Sequence, residues 1–502
     1  MFKFKDEGPK VKKDEIPVKQ GTITTFGISM MTCACVLSLR GLPVIAKEEL
    51  TMFFYIGFST LLFLIPVSLV SAELGGAFGG RAGGVYTWVG EAFNKKTGFI
   101  AIWLEWAQTI VLYPTVLGFA SGAFGYALGR PDLASNGMFV GLFSIFIYWV
   151  ATFIVFRGSA VIQKVTSYGF LLGTVIPGLL IIGFGVTWMV MGEDIAFLHP
   201  DPSDATVSKI IDGKAEPRVF PYFKSITDVA FLAGIVLLFS GVESQAVHAN
   251  ELKNPAKQFP QAMLLAALII FSIFTLGALS VGAVIPGQQI NVQSGLMQAF
   301  YKIFNKFHLG WLTYISGLLV TFGAIASVLS WLSGPSKGLL VTAKDRILPD
   351  MMSKTNNKGI QTGILYFQGS FVTILASLYI FLEDVNVAFF LLTVLTVGLY
   401  LIMYMLMYAA AIRLKYTQPN LPRSYKIPGG KTGMVVVAGA GFLAVLFAFI
   451  LAFVPPSQLP IGSPASYVGM VIGGTAFFTG LPFLIFYVKR KRGTDLSGKP
   501  NV

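Results

Sequence analysis

The sequence predicts an all-α polytopic membrane protein with twelve transmembrane helices. Three observations carry this expectation. Of the 502 residues, 54% are hydrophobic and only 12% are charged, whereas an ordinary soluble domain is about 25% charged. The apolar residues fall in runs close to the ~20 residues that a helix needs to cross a hydrocarbon core. The runs lack the period-2 alternation of a transmembrane barrel, and in lipid a helix satisfies its backbone polar groups within itself.

In chain order the expected spans are 22–46, 51–74, 98–128, 137–156, 165–191, 227–248, 262–284, 311–340, 362–382, 387–413, 433–454 and 467–488. Residues 1–21 form a Lys-rich basic tail suited to anionic lipid headgroups. The span behind it is too long for the apolar region of a cleavable signal peptide. Residues 489–502 form a short C-terminal tail, and 22–488 make one membrane domain. An even number of crossings puts both termini on one side. Only nine of the 37 Lys and Arg, Arg40 among them, fall on the opposite side. That bias predicts cytoplasmic termini in an inner (plasma) membrane. The net charge of +13 is therefore a topology signal, and a nucleic-acid partner is not expected. Outside, 192–227 carries Pro200, Pro202 and Pro217, and 286–310 shows helical apolar spacing in Leu296, Phe300, Ile303 and Phe304. No segment between spans is long enough for an independent domain.

Proline or glycine sits inside many spans: Pro43, Pro66, Pro114, Pro177, Gly234, Gly241, Gly323, Gly334 and Pro335. Non-helical backbone at membrane depth is tolerated where it lines a cavity, and interruptions at equivalent places of two halves point to a binding site. The first span is expected to break near Val36-Leu37-Ser38 and to end at Pro43, and the sixth to break around Phe239-Ser240-Gly241. Ordinary kinks account equally well for such positions taken alone.

Ionisable residues inside the membrane are costly and are functional candidates by default. Glu243 follows Gly241 at the expected break. Two readings fit it: a carboxyl that takes and releases a proton, or a hydrogen-bonding clamp on unwound backbone. Glu105 lies between Trp103 and Trp106, tryptophans that suit an interface belt, and shares a helix face with Gln108. It either meets a substrate amine or proton in a cavity or makes a polar helix contact. Glu73 is expected to pair with a cytoplasmic base or cap a helix, and Glu251, Asp228 and His248 to lie near water. Cys33 and Cys35 fit a helix contact better than a disulfide or a metal site. The glycine-rich stretch 74–84 has neither the preceding strand nor the Gly-Lys-Ser/Thr of a phosphate loop and reads as a hinge-like cytoplasmic turn. No cofactor, metal or catalytic cluster is expected, so the chain is not read as an enzyme.

Several stretches resemble the glutamate:GABA antiporter family of the amino acid–polyamine–organocation superfamily. They are Ile65-Pro66-Val67 through Ala72-Glu73, Gly83-Gly84-Val85-Tyr86-Thr87-Trp88-Val89, Gly241-Val242-Glu243-Ser244 with His248-Ala249-Asn250-Glu251-Leu252-Lys253-Asn254-Pro255, Val284-Ile285-Pro286-Gly287 with Ile290-Asn291, Ser330-Trp331-Leu332-Ser333-Gly334-Pro335-Ser336-Lys337-Gly338, and Ile427-Pro428-Gly429-Gly430-Lys431. The resemblance implies a LeuT-like fold: two inverted five-helix repeats followed by two helices. It implies a substrate site midway between the broken first and sixth spans. Amides around Leu37 and Ser38, next to Val36, would take the substrate carboxylate. Carbonyls of Ala34, Leu237 and Ser240, beside Gly241, would take the α-amine. Side-chain selectivity would fall to Glu105, Gln108, Ser327, Tyr400 and Tyr404, and proton coupling or gating to Glu243. Two departures bear on substrate. Ser327 stands where acid-resistance members of the family carry a glutamate, and Glu105 stands near where they carry a glycine. Arg40-Gly41 also replaces a different polar cluster after the first break.

The expectation is an amino-acid antiporter working by alternating access, with amino-acid substrates and protons as candidate partners. A proton-coupled permease and a non-transporting sensor with the same fold are the alternatives.

Overall fold

Long apolar runs close their backbone hydrogen bonds internally, and the chain is accordingly a succession of helices. The computed structural model describes residues 24–491 apart from 79–82, 245–251, 345, 383, 458 and 460–462. The N-terminal tail, residues 79–82 of the glycine-rich stretch, His248 and Glu251 lie outside the described residues.

The first crossing is two short helices, α1 (Thr25–Val36) and α2 (Gly41–Ala46). Thr24 caps α1 by accepting from the Gly27 amide at 3.0 Å. The second crossing is α3 (Met52–Phe58), a π turn at Ser59–Leu64, and α4 (Ile65–Phe78). After α5 (Val85–Ala92) come α6 (Lys95–Ala127), α7 (Gly137–Val155) and α8 (Ser159–Phe170), which runs through a second π turn at Leu171–Val175 into α9 (Ile176–Val190). The segment expected to be an outside loop contains a hairpin, β1 (Ser208–Ile211) and β2 (Lys214–Pro217), with Ile211 opposite Lys214. Asp212 and Gly213 both have positive φ at its two-residue turn, the geometry that Asp-Gly favours. The remaining helices are α10 (Phe231–Leu238), α11 (Pro255–Val284), α12 (Gly295–Lys306), α13 (Trp311–Lys344), α14 (Thr362–Ala376), α15 (Leu378–Phe381), α16 (Val385–Thr417), α17 (Gly430–Ala452) and α18 (Pro464–Lys491). Helix α12 buries Leu296, Phe300, Ile303 and Phe304, the residues whose spacing predicts it.

Among the described residues, eleven helical stretches are long and apolar enough to cross a membrane. The expected count of twelve depends on taking α1 and α2 together as one broken crossing, because neither reaches the required length. Most of the prolines and glycines expected to interrupt spans do not. Pro114 and Pro335 sit inside continuous helices. Pro66 and Pro177 each follow a π turn, which absorbs the missing N–H and the ring clash without ending the helix. Pro43 does not end the first crossing either; it lies in the first turn of α2, where a missing N–H costs nothing.

Helix α6 is the centre, packed on α13 and α16. Its apolar window is 89% buried, against 22% for that of α18 at the periphery. Leu179, Phe146 and Leu443 point outward and are exposed, an arrangement that lipid tolerates and water does not. Glycine lets α13 touch the π turn of the fifth span: a Cβ at Gly173 would lie 2.3 Å from the Gly323 backbone. Glu73 is held as expected, by bases. Its Oε1 meets Lys415 Nζ at 2.7 Å and Arg423 Nε at 2.9 Å, and its Oε2 accepts from the Ile427 amide at 2.8 Å. This buried cluster ties α4 to the end of α16. Glu73→Ala leaves two buried cations unpaired and is expected to cost about 3–5 kcal/mol, read as a lowered thermal midpoint of the purified protein. Lys415→Met is expected to cost less, because Arg423 still pairs the carboxylate.

Candidate functional site

The site begins where two helices stop. At the end of α1, Leu37 turns to extended backbone while its amide still bonds the Cys33 carbonyl at 2.8 Å. Among the described residues the amides of Ser38 and Leu39 make no hydrogen bond, and the chain re-enters helix when Gly41 bonds Ser38 O at 3.0 Å. At the end of α10 the last turn tightens, with Phe239 N to Val236 O and Ser240 N to Leu237 O, both 3.1 Å. Gly241 then adopts φ 108°, a conformation that side-chain-bearing residues rarely take. Its amide leaves the helix and is received by the Tyr404 hydroxyl at 3.0 Å.

The same hydroxyl donates to Glu243 Oε2 at 2.6 Å, and the Tyr400 hydroxyl donates to Glu243 Oε1. Tyr400 and Tyr404 are one turn apart on α16, with ring centroids 4.8 Å apart. Glu243 is 1% exposed. Two phenols thus hold one buried carboxylate against the broken sixth helix, and Tyr404 bridges carboxylate and freed amide together.

Three adjoining cavities surround this arrangement. The innermost, about 40 Å³, is walled by Val36, Leu37, Ser38 and Arg40 from the first break and by Leu237 and Ser240 from the second. Gln108 and Leu112 of α6, Ser327 and Trp331 of α13 and Tyr400 complete it. A 310 Å³ cavity between α1, α8 and α13 shares Leu37, Ser38 and Ser327 with it and adds Ala34. A 490 Å³ cavity is lined by Glu105, Glu243 and Trp331 and reaches Gly83 and Lys337. The residues singled out from the sequence therefore lie in or directly behind one set of walls, Tyr404 and Gly241 through their bonds to each other and to Glu243.

Several details differ from expectation. Trp103 and Trp106 are not in an interface belt: both are fully buried, Trp103 donating to Phe478 O at 3.0 Å and Trp106 to Gln368 Oε1 at 2.6 Å. Glu105 is 8% exposed and faces the cavity; among the described residues it has no ion-pair partner. The Leu237 carbonyl already accepts from the Ser240 amide and, at 2.6 Å, from its hydroxyl, so less of it is left for an incoming amine. Arg40 is not in the outer aqueous layer. It is buried in the wall of the inner cavity and donates to Thr115 Oγ1 at 2.9 Å. The rule that intramembrane charges are functional candidates applies to it directly; counting it as a span-end charge hid it.

Comparison with known proteins gives a consistent result. Residues 21–477 match the family described as amino acid permease. An uncharacterized transporter of Legionella pneumophila is 35% identical over 462 residues, covering 92% of this chain and 96% of that protein. A glutamate/gamma-aminobutyrate antiporter of Lactococcus lactis is 31% identical over 488 residues, covering 96% and 94%. An aspartate/glutamate permease of the same species is 26% identical over 405 residues, covering 78% and 80%.

Replacing Tyr404 by Phe orphans the Gly241 amide and removes one of two donors to Glu243, and is expected to cost about 1–3 kcal/mol. Tyr400→Phe removes only the carboxylate bond, so it is expected to lower the thermal midpoint less. Equal shifts for the two variants would show that the Gly241 bond contributes nothing.

Proposed function

The chain belongs to the amino acid permease family, and from that premise we propose that it exchanges amino acids across a bacterial inner membrane by alternating access, with both termini cytoplasmic. Amino-acid transport follows from the family; exchange is supported by the Lactococcus lactis antiporter, similar over nearly the whole of both chains. The observation that carries the reading is the inner cavity walled by both helix breaks. Backbone freed from a helix at membrane depth offers N–H and C=O groups to a zwitterion, and such groups persist there only where protein or a cavity satisfies them. The Ser38 and Leu39 amides suit an α-carboxylate, and the Ser240 carbonyl and the nearby carboxylates suit an α-ammonium group.

The inner cavity is smaller than an amino acid, so loading widens it at the expense of the larger cavities on either side. Trp331, which borders both the inner cavity and the one reaching Lys337, is the wall suited to move. Glu243 has the geometry of a clamp between the broken sixth helix and α16. Its burial beside the cavity also supports a second reading, in which protonation of Glu243 is coupled to transport.

Counterflow in proteoliposomes tests the proposal. Vesicles loaded with one unlabelled amino acid are expected to accumulate a labelled partner, with glutamate, GABA, glutamine, arginine and leucine compared at several pH values. No exchange by folded, inserted protein would reject the antiporter reading. Ser38→Leu is expected to abolish exchange by filling the first break, and normal exchange would move the site elsewhere. Glu243→Gln is expected to insert normally but exchange slowly; if its pH dependence matches that of the parent protein, Glu243 has no coupling role.

A further inference from the structure

Between α9 and α10 the chain leaves its helices, and the run Val219-Phe220-Pro221-Tyr222-Phe223-Lys224-Ser225-Ile226 brings apolar side chains to the surface there. Val219, Phe220, Tyr222, Phe223 and Ile226 are all exposed, Phe220 by 75%. Leu443 and Leu61, which face outward from membrane-crossing helices, are 65% and 64% exposed. A surface in contact with water rarely gathers large apolar side chains so densely unless something covers them.

The fold holds the run in this display. The Arg218 amide bonds Val207 O at 2.8 Å, and the Tyr222 amide bonds Thr206 O at 3.2 Å. Backbone returning to the base of the β1–β2 hairpin thus fixes both ends of the turn that carries Phe220. The Arg218 guanidinium donates to Ser208 O at 2.7 Å and lies over the Tyr222 ring. At the far end, Asp228 Oδ2 accepts from the amides of Lys224 and Ser225, both at 3.0 Å, and so caps the turn that leads into α10.

What covers the run follows from its neighbours. The Phe223 ring meets that of Phe54 edge to face, centroids 6.0 Å apart, in the first turn of α3. Phe53 beside it and Leu61 further along the same crossing point outward, so the run continues the lipid-facing surface of the second crossing. Its depth is set by its backbone. Among the described residues the amides of Val219, Phe220 and Phe223 make no hydrogen bond. Such groups are excluded from hydrocarbon but are satisfied at the level of the headgroups, where water and phosphate oxygens reach them. Lys224, exposed at the end of the aromatic run, brings a cation to the same level.

We propose that residues 219–226 are an interfacial anchor whose partner is the adjoining leaflet of the bilayer. Phe220, Tyr222 and Phe223 seat among the headgroups and the upper ends of the acyl chains, and Lys224 pairs with a lipid phosphate. The anchor fixes the depth at which α10, the first half of the broken sixth crossing, begins. The assignment does not depend on which solute is carried.

The test follows an indole placed in the run. Full-length protein carrying Phe220→Trp is reconstituted in nanodiscs of phosphatidylethanolamine and phosphatidylglycerol. The emission of the parent protein, with its seven tryptophans, is subtracted. Quenching by lipid brominated near the glycerol end of its chains is compared with quenching by aqueous iodide. The added indole is expected to be quenched by the bromolipid and protected from iodide. Lys224→Gln in the same background is expected to raise the iodide-to-bromolipid ratio, by about fivefold at most, the worth of one basic residue at an anionic surface. An unchanged ratio overturns the phosphate contact. Quenching by iodide and not by bromolipid overturns the anchor and leaves the run standing in water. Protection from both also overturns it, since protein then covers the run. If Phe220→Trp does not fold, Val219→Trp carries the same comparison.

Discussion

Backbone N–H and C=O groups have no water to turn to inside a bilayer, and the arrangement of this protein follows from how each is satisfied. Nearly all of the chain meets the constraint by staying helical. The exceptions are few and placed together. At the first break, Ser38 and Leu39 amides are left facing a cavity; at the second, the Gly241 amide is taken by a tyrosine from α16. That tyrosine is fixed by Glu243, which Tyr400 holds from the other side. Removing helix hydrogen bonds thus leaves free backbone groups beside a cavity and creates the need for the polar cluster that supports the second break.

The buried charges divide by the same logic. Glu73 meets two cations and a backbone amide, and its cluster fastens one end of α4 to the segment between α16 and α17. Nothing in that arrangement invites a ligand, because every charge has its partner. Around the inner cavity the accounts do not close. Arg40 and Gln108 line the inner cavity, and among the described residues the Gln108 amide has no partner, while Glu105 lines the adjoining larger one.

Irregularities in the helices also divide. Pro66 and Pro177 cost a π turn each and leave their crossings continuous, because one widened turn accommodates the ring. The break at Gly241 is of another kind: with a positive φ its amide leaves the helix and is taken by Tyr404 of another helix. Residue type alone did not separate the two, since proline and glycine flag both.

What depends on composition and local order can be read along the chain. Lengths of apolar runs identify the crossings, and the breaks at Leu37-Ser38 and Ser240-Gly241 could be read from residue type and position. The hairpin at Asp212-Gly213 was not anticipated, because its strands are too short and polar to declare themselves. Which face of each helix looks inward is set by packing. In water an amphipathic stripe announces the buried face; in lipid both faces are apolar, so that periodicity is missing. Trp103 and Trp106 could therefore be taken for interface residues, and Arg40 for a span-end charge, until the packing of α6 against α13 and α16 placed them. The partners of Glu73, on α16 and in the segment after it, and that of the Gly241 amide, on α16, lie more than a hundred residues away in the chain, and only folding brings them within hydrogen-bonding reach.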